Sequence, residues 1–89
     1  MQKRNRIEII KDMLEVIKNN KNKVLLTPLQ RKSNLSSTRF QEYLSELRTK
    51  DFVEEEIEKD KKFIAITEKG FKFLEKYNVI KGFIEEFEL

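Results

Sequence analysis

Residues 27–50 constrain the fold of this 89-residue chain more than any other segment, because they hold two helix starts separated by a turn. Thr27 is a residue type that caps helices by accepting a hydrogen bond from free backbone amides, and Pro28 suits the first helical position, where its missing N–H costs nothing. Ser33 and Asn34 favour a turn, since both side chains bond to nearby backbone and compete with helix formation. The sequence therefore predicts a short helix that Thr27 caps, followed by a tight turn.

A second helix is predicted over residues 38–50, with Ser36 or Ser37 as its N-cap. Its apolar side chains recur at positions i, i+4 and i+7, so one face points inward and the opposite face points to water. The apolar face holds Phe40, Leu44 and Leu47, and the polar face holds Thr38, Gln41, Glu42, Ser45 and Thr49. Two such helices joined by a turn are typical of a helix-turn-helix motif, although any pair of consecutive amphipathic helices shares this pattern.

Two segments after the second helix change from helical to extended periodicity. Residues 52–57 and 63–67 are rich in β-branched and aromatic side chains, and the charged residues 58–62 between them suit a loop. A lone hairpin is marginally stable, so residues 24–26 are predicted to add a third strand. This order of elements predicts a mainly helical α+β fold, a winged helix-turn-helix with a long C-terminal helix. An ordinary α+β module with a charged turn remains the alternative.

Short motifs along the chain are similar to those of a known family. They are Leu35-Ser36, Tyr43-Leu44 with Leu47, Phe52-Val53-Glu54, and Ile66-Thr67-Glu68-Lys69-Gly70 with Phe73-Leu74. Together they resemble small archaeal winged helix-turn-helix DNA-binding proteins. The Thr-Glu-Lys-Gly tetrapeptide also resembles a motif of MarR-like and PadR-like regulators and of archaeal proteins that dimerise through a C-terminal antiparallel coiled coil. The resemblance implies DNA binding by a homodimer. Asp51 departs from the pattern, because relatives often place glycine after the recognition helix.

The chain contains no cysteine and no histidine, which removes the side chains that most enzymes and zinc sites use. Gly70 and Gly82 are its only glycines, so it has no glycine-rich loop to hold a phosphate. The adjacent carboxylates at positions 54–56 alternate in direction along a predicted strand and suit a solvated surface. We therefore expect no catalytic residue, no metal site and no cofactor.

No apolar run approaches the ~20 residues that a membrane-spanning helix needs. Residues 1–6 are rich in basic side chains and lead into an amphipathic helix rather than into the apolar core of a signal peptide. The sequence therefore predicts a cytoplasmic protein without a membrane partner.

Positive charge is concentrated in the half of the chain that holds the predicted helix-turn-helix. Residues 1–50 carry 12 Lys and Arg against 5 Asp and Glu, a net charge of +7, whereas residues 51–89 carry 7 against 11, a net charge of −4. We expect the basic half to neutralise DNA phosphates, although lysine-rich surfaces also keep small domains soluble. The predicted DNA-binding residues are Arg31, Lys32, Ser36, Ser37, Thr38, Arg39, Gln41, Glu42, Ser45, Lys59, Lys61 and Lys62.

These residues have different predicted roles. Arg39 and Gln41 are best able to read base edges, because arginine pairs bidentately with guanine and glutamine with adenine. Glu42 is ambiguous, since it can accept from a cytosine amino group or repel the DNA backbone. The residues expected to meet phosphates are Arg31, Lys32, Ser36, Ser37 and the lysines at 59, 61 and 62, together with Lys3, Arg4 and Arg6 at the start of the chain.

The last helix is predicted over residues 67–87 and carries more apolar side chains than one small domain can cover. A seam with the 4-3-4-3 spacing of a coiled coil is formed by Phe73, Tyr77, Ile80, Ile84 and Phe87, and Phe83 lies on an adjacent position. The predicted dimerisation residues are Phe73, Tyr77, Ile80, Phe83, Ile84 and Phe87. We expect residues 1–66 to form the DNA-binding domain and residues 67–89 to form an antiparallel coiled coil in a homodimer. The alternative is a helix that folds back on its own domain.

Three functions are compatible with these features. The first is a sequence-specific transcription regulator that binds double-stranded DNA as a homodimer. The second is an architectural or chromatin-type DNA-binding protein with low sequence specificity. The third is a protein-interaction module in which the acidic residues 54–56 contact the partner. No small-molecule effector pocket can be argued from the sequence.

Overall fold

Four helices and three strands make up the computed structural model, which describes residues 4–89. In chain order they are α1 (Arg6–Asn19), β1 (Lys23–Leu25), α2 (Leu26–Ser33), α3 (Ser37–Thr49), β2 (Val53–Glu58), β3 (Lys61–Ile66) and α4 (Glu68–Glu86). Helices predicted over residues 38–50 and 67–87 are therefore confirmed to within a residue at each end.

The strands form one antiparallel sheet in the order β1-β3-β2. Val24 of β1 lies opposite Ile64 of β3, and Val53 of β2 lies opposite Ile66. The third strand predicted near residues 24–26 is confirmed, but Leu26 belongs to α2 instead. A helix-turn-helix followed by a hairpin that packs beside it is the winged helix expected from the sequence.

The start of α2 differs from the prediction. Its N-cap is Leu25, in an extended conformation, and no side chain caps the first turn. Thr27 and Pro28 are the second and third helical residues, so the predicted capping role of Thr27 is wrong. The helix begins earlier because β1 runs into it without a loop. Pro28 is still tolerated, since backbone N–H groups of a first turn have no acceptor within the helix.

The hairpin of β2 and β3, which we call the wing, is tighter than predicted. A five-residue loop over 58–62 was expected, whereas only Lys59 and Asp60 connect the strands. Their φ angles are 50° and 64°, as in a type I′ turn, whose backbone matches the twist of the flanking strands. Glu58 and Lys61 then lie directly opposite each other. The Glu58 carboxylate pairs with Lys23 of β1 rather than with Lys61, and the charged run continues the ladder up to the turn.

The core lies between the sheet and all four helices. In α3, Phe40, Leu44 and Leu47 have no exposed surface, as their spacing predicted. The other buried hydrophobic residues are Ile9, Ile10, Met13, Leu14, Ile17, Val24, Leu29, Val53, Ile64, Ala65, Ile66 and Leu74. Asn5 caps α1 in a reciprocal pair with Glu8, which stabilises the start of the helix that covers most of this core.

The Thr-Glu-Lys-Gly tetrapeptide joins α4 to the loop after α3. The Thr67 hydroxyl accepts a hydrogen bond from the Gly70 amide at 3.1 Å and donates one to the Asp51 carbonyl at 2.6 Å. Asp51 itself has φ 61°, so this aspartate adopts the left-handed conformation that glycine adopts most readily. These hydrogen bonds therefore fix the start of α4 relative to the loop between α3 and β2.

Only the first half of α4 packs on the domain. Leu74 is buried, and the half-buried ring of Phe73 lies 5.2 Å from that of Phe52. The Tyr77 ring lies 6.4 Å from that of Phe73 and 5.6 Å from the ammonium of Lys11. Every residue after Tyr77 is exposed. Within residues 4–89, no helix is both long and apolar enough to cross a membrane.

Candidate nucleic-acid interface

The polar face of α3 is uncovered. Ser36 caps this helix by accepting a hydrogen bond from the Arg39 amide, and the buried stripe holds the opposite face against the core. No part of the described chain, residues 4–89, lies over the polar side, and its members are all exposed. They are Thr38, Gln41, Glu42, Ser45 and Thr49. The helix therefore presents a free surface of small and polar side chains, bounded by the wing.

The two predicted base-reading residues lie on different flanks of α3. At about 100° per residue, Arg39 and Gln41 point roughly 160° apart around the helix axis. Arg39 lies 5.9 Å from the Tyr43 ring centre, on the flank where Arg6 of α1 forms an ion pair with Glu46. The structure thus does not bring Arg39 and Gln41 together. The centre of the face is occupied by Thr38, Glu42 and Ser45.

An open groove separates α2 from the start of α3. Arg31 and Ser36 both line it, beside the free backbone amides of the first turn of α3. The Gln30 side chain donates to the Ser37 hydroxyl at 3.0 Å, which links the two helices. Lys32 points elsewhere, since its ammonium lies 3.4 Å from the side-chain oxygen of Asn20. Arg31 therefore lies beside the start of α3, whereas Lys32 points away from Arg31 and from the start of that helix.

Arg4 is held inside the domain, and Lys3 lies outside the described residues. The Arg4 guanidinium donates to the Asp12 carboxylate and to the Ser33 carbonyl, at 2.9 Å in each case. Burial raises the pKa of Asp12, but the hydrogen bonds from Lys11 and Arg4 outweigh it and hold that pKa below its usual value. Arg4 therefore fastens the start of the chain to the end of α2 and would have to break these contacts to meet a phosphate.

The wing lysines are not equivalent. Within residues 4–89, Lys59 and Lys61 have no carboxylate oxygen within 4 Å of their ammonium groups, whereas Lys62 lies 3.2 Å from Glu55. Glu55 also forms an ion pair with Arg48 of α3, at 2.6 Å. Arg48 was not among the residues predicted from the sequence. Its place beside the wing depends on packing between α3 and β2 that no local pattern shows.

A capped, uncovered helix beside a short, highly charged hairpin defines this molecule as a winged helix-turn-helix protein. Residues 3–85 match the family model described as winged helix-turn-helix, and the chain belongs to that family. No curated protein sequence matches it.

Two solved structures share the fold. Sso10a-2, a DNA-binding protein from Sulfolobus solfataricus, is 25% identical with a TM-score of 0.71, and the match covers 96% of this chain and 90% of that one. A winged-helix DNA-binding protein from STIV is 23% identical with a TM-score of 0.72, and the match covers 88% of this chain and 90% of that one.

Proposed function

We propose that this protein binds double-stranded DNA through α3 and the wing, and that it acts as a homodimeric transcription regulator. The observation that carries the proposal is the uncovered polar face of α3, opposite a fully buried apolar stripe. A helix of this kind fits the major groove, where base edges present distinct donors and acceptors. The similarity to Sso10a-2, described as a DNA-binding protein, supports the same function.

The geometry supports a division of the contacts. Arg31 and the amides after Ser36 would hold one stretch of backbone, and Lys59 and Lys61 would hold another beside the wing. Between them, Gln41 and the small residues at the centre of the face would meet base edges. Arginine and lysine contacts of this kind release condensed counterions, so we expect binding to weaken steeply with salt.

The exposed half of α4 supports a homodimer. Beyond Tyr77 the side chains of Ile80, Phe83, Ile84 and Phe87 are 40–59% exposed. The Phe83 and Phe87 rings lie 4.9 Å apart and cover each other only in part. Leaving such side chains in water forfeits about 1.5 kcal/mol or more each, and their heptad spacing matches the same seam on a second copy. The antiparallel arrangement rests on the archaeal resemblance.

A second candidate, an architectural DNA-binding role with little sequence preference, is favoured by one observation. The two side chains best able to discriminate bases, Arg39 and Gln41, lie on opposite flanks of α3, and Arg39 stacks beside Tyr43. Fewer bidentate contacts in one groove mean a smaller difference between specific and random sites. The MarR-like or PadR-like subtype and a cytoplasmic location remain predictions.

Mobility shifts over a salt series test the proposal. We expect the wild-type chain to bind random duplex at low salt and selected genomic fragments more tightly, whereas equal affinities would favour the architectural role. Ser45→Glu places a negative charge at the centre of the α3 face and should abolish binding. Asn78→Glu is the matched control, because Asn78 is exposed on α4 away from α3. No shift at low salt would contradict DNA binding and favour the protein-interaction module.

A further inference from the structure

One carboxylate joins the recognition helix to the wing. The two carboxylate oxygens of Glu55 form ion pairs with different cations, one with Arg48 of α3 at 2.6 Å and the other with Lys62 of β3 at 3.2 Å. All three side chains are partly exposed, with 35–58% of their surface accessible. The site is therefore a pair of cations that share one internal anion at the surface.

The register of the wing places Glu55 and Lys62 on one face of the hairpin. The same face holds buried core residues nearer the base of the wing. Glu55 lies opposite Ile64, which is buried, and Lys62 lies on the same face of β3 because side chains alternate along a strand. Glu54 lies opposite Ala65 and so occupies the other face. Only the Glu55 face carries a cation from α3, the helix that would enter the DNA groove.

The strength of the Glu55 contacts matters for what they can do. Ion pairs at this exposure contribute about 0–1 kcal/mol, so the three side chains exchange partners readily. Such weak contacts cannot hold a wing rigidly in place. They do place one negative charge between two cations, which lowers the net charge of the group from +2 to +1 at the point where a duplex lying along α3 and the wing would bring its backbone.

We propose that Arg48 and Lys62 form a binding site for one DNA backbone phosphate, which Glu55 occupies in the free protein. A phosphodiester has two free oxygens and a single negative charge, and it can replace the carboxylate between the same two donors. Glu55 then competes with DNA and lowers the affinity of the protein for every duplex, whatever the sequence. The inference rests on the proposed DNA binding and adds a site and an internal competitor to it.

The test is the substitution Glu55→Gln, which keeps the size of the side chain and removes its charge. We expect it to tighten binding to random and selected duplexes alike by roughly three- to tenfold, and to steepen the slope of log K against log salt by about 0.9, for the one additional phosphate bound. Glu54→Gln is the matched control, with the same charge change on the same strand but the opposite face. Glu54→Gln should change the affinity and the salt slope much less than Glu55→Gln does.

A double-mutant cycle separates local competition from a general charge effect. In the wild type Arg48→Gln should weaken binding only slightly, whereas in the Glu55→Gln background it should remove most of the gain. Additive effects of the two substitutions, or an equal gain from Glu54→Gln, would overturn the phosphate site. Weaker binding by Glu55→Gln would do the same. These outcomes all require wild-type DNA binding, so they differ from failure of the proposed function, in which no variant binds.

Discussion

Gly70 occupies a position where a methyl group has no room. A Cβ at this residue would lie 2.5 Å from the Phe52 carbonyl oxygen and 2.8 Å from Cγ1 of Ile66. The contact brings α4 against both the loop after α3 and the end of β3. The glycine of the Thr-Glu-Lys-Gly motif is therefore needed for close packing, since its backbone is an ordinary helix.

Gly70→Ala should destabilise the protein by about 1–3 kcal/mol, because the added methyl group overpacks a backbone contact. Gly82→Ala is the matched control in the same helix. Nothing lies within 4 Å of its added Cβ, so it should stabilise the helix by roughly 0.5–1 kcal/mol. Urea unfolding followed by circular dichroism measures both. Equal effects of the two substitutions would contradict the packing role of Gly70.

At the scale of the elements, the cations of α3 and the wing differ in whether they contact another side chain. Arg48 and Lys62 share Glu55, and Arg39 stacks beside Tyr43. Lys59 and Lys61, by contrast, have no ion-pair partner within the described residues 4–89. The wing tip therefore carries charge that a phosphate can meet without first breaking an internal contact.

Replacing Lys59 and Lys61 together with Gln should weaken all duplexes alike and reduce the salt slope by about 1.8, or 0.9 per lost phosphate contact. Gln41→Ala should instead reduce the discrimination between selected and random sequences by about 1–3 kcal/mol while leaving the salt slope unchanged. Fluorescence anisotropy with both duplexes over a salt series measures the two quantities. The same response from both variants would refute this division of roles.

At the scale of the whole molecule, the proposed dimer through the exposed half of α4 would bring two recognition helices together. The molecule extends 49 Å along its longest axis and 21 Å along its shortest. A two-fold dimer through α4 would present two copies of α3 to one duplex. Its binding site should then be an inverted repeat, with half-sites separated by one or more helical turns of DNA.

Ile80→Glu combined with Ile84→Glu should convert the dimer to a folded monomer, because it buries charges in an apolar seam. Val79→Glu is the control. Val79 is 72% exposed but lies outside the heptad seam, so the dimer should persist. Sedimentation equilibrium gives the mass, and circular dichroism shows that the chain is folded. A wild-type monomer, or a double variant that keeps the dimer mass, would contradict the proposed seam.

The sequence by itself determined the elements of this protein. The spacing of Phe40, Leu44 and Leu47 indicated which face of α3 is buried, and Ser36 or Ser37 indicated where that helix begins. These predictions succeed because capping and amphipathic spacing act between residues at most a few positions apart. They fail for Thr27, where a strand leads directly into a helix.

Only the tertiary structure decided which charged side chains meet. Arg4 reaches the Ser33 carbonyl, which is 29 residues away. Arg48 and Lys62 come together on Glu55 only when α3, β2 and β3 pack. A long charged side chain has no preferred partner in its local sequence, so folding of distant elements selects the partner and thereby the cations left for DNA.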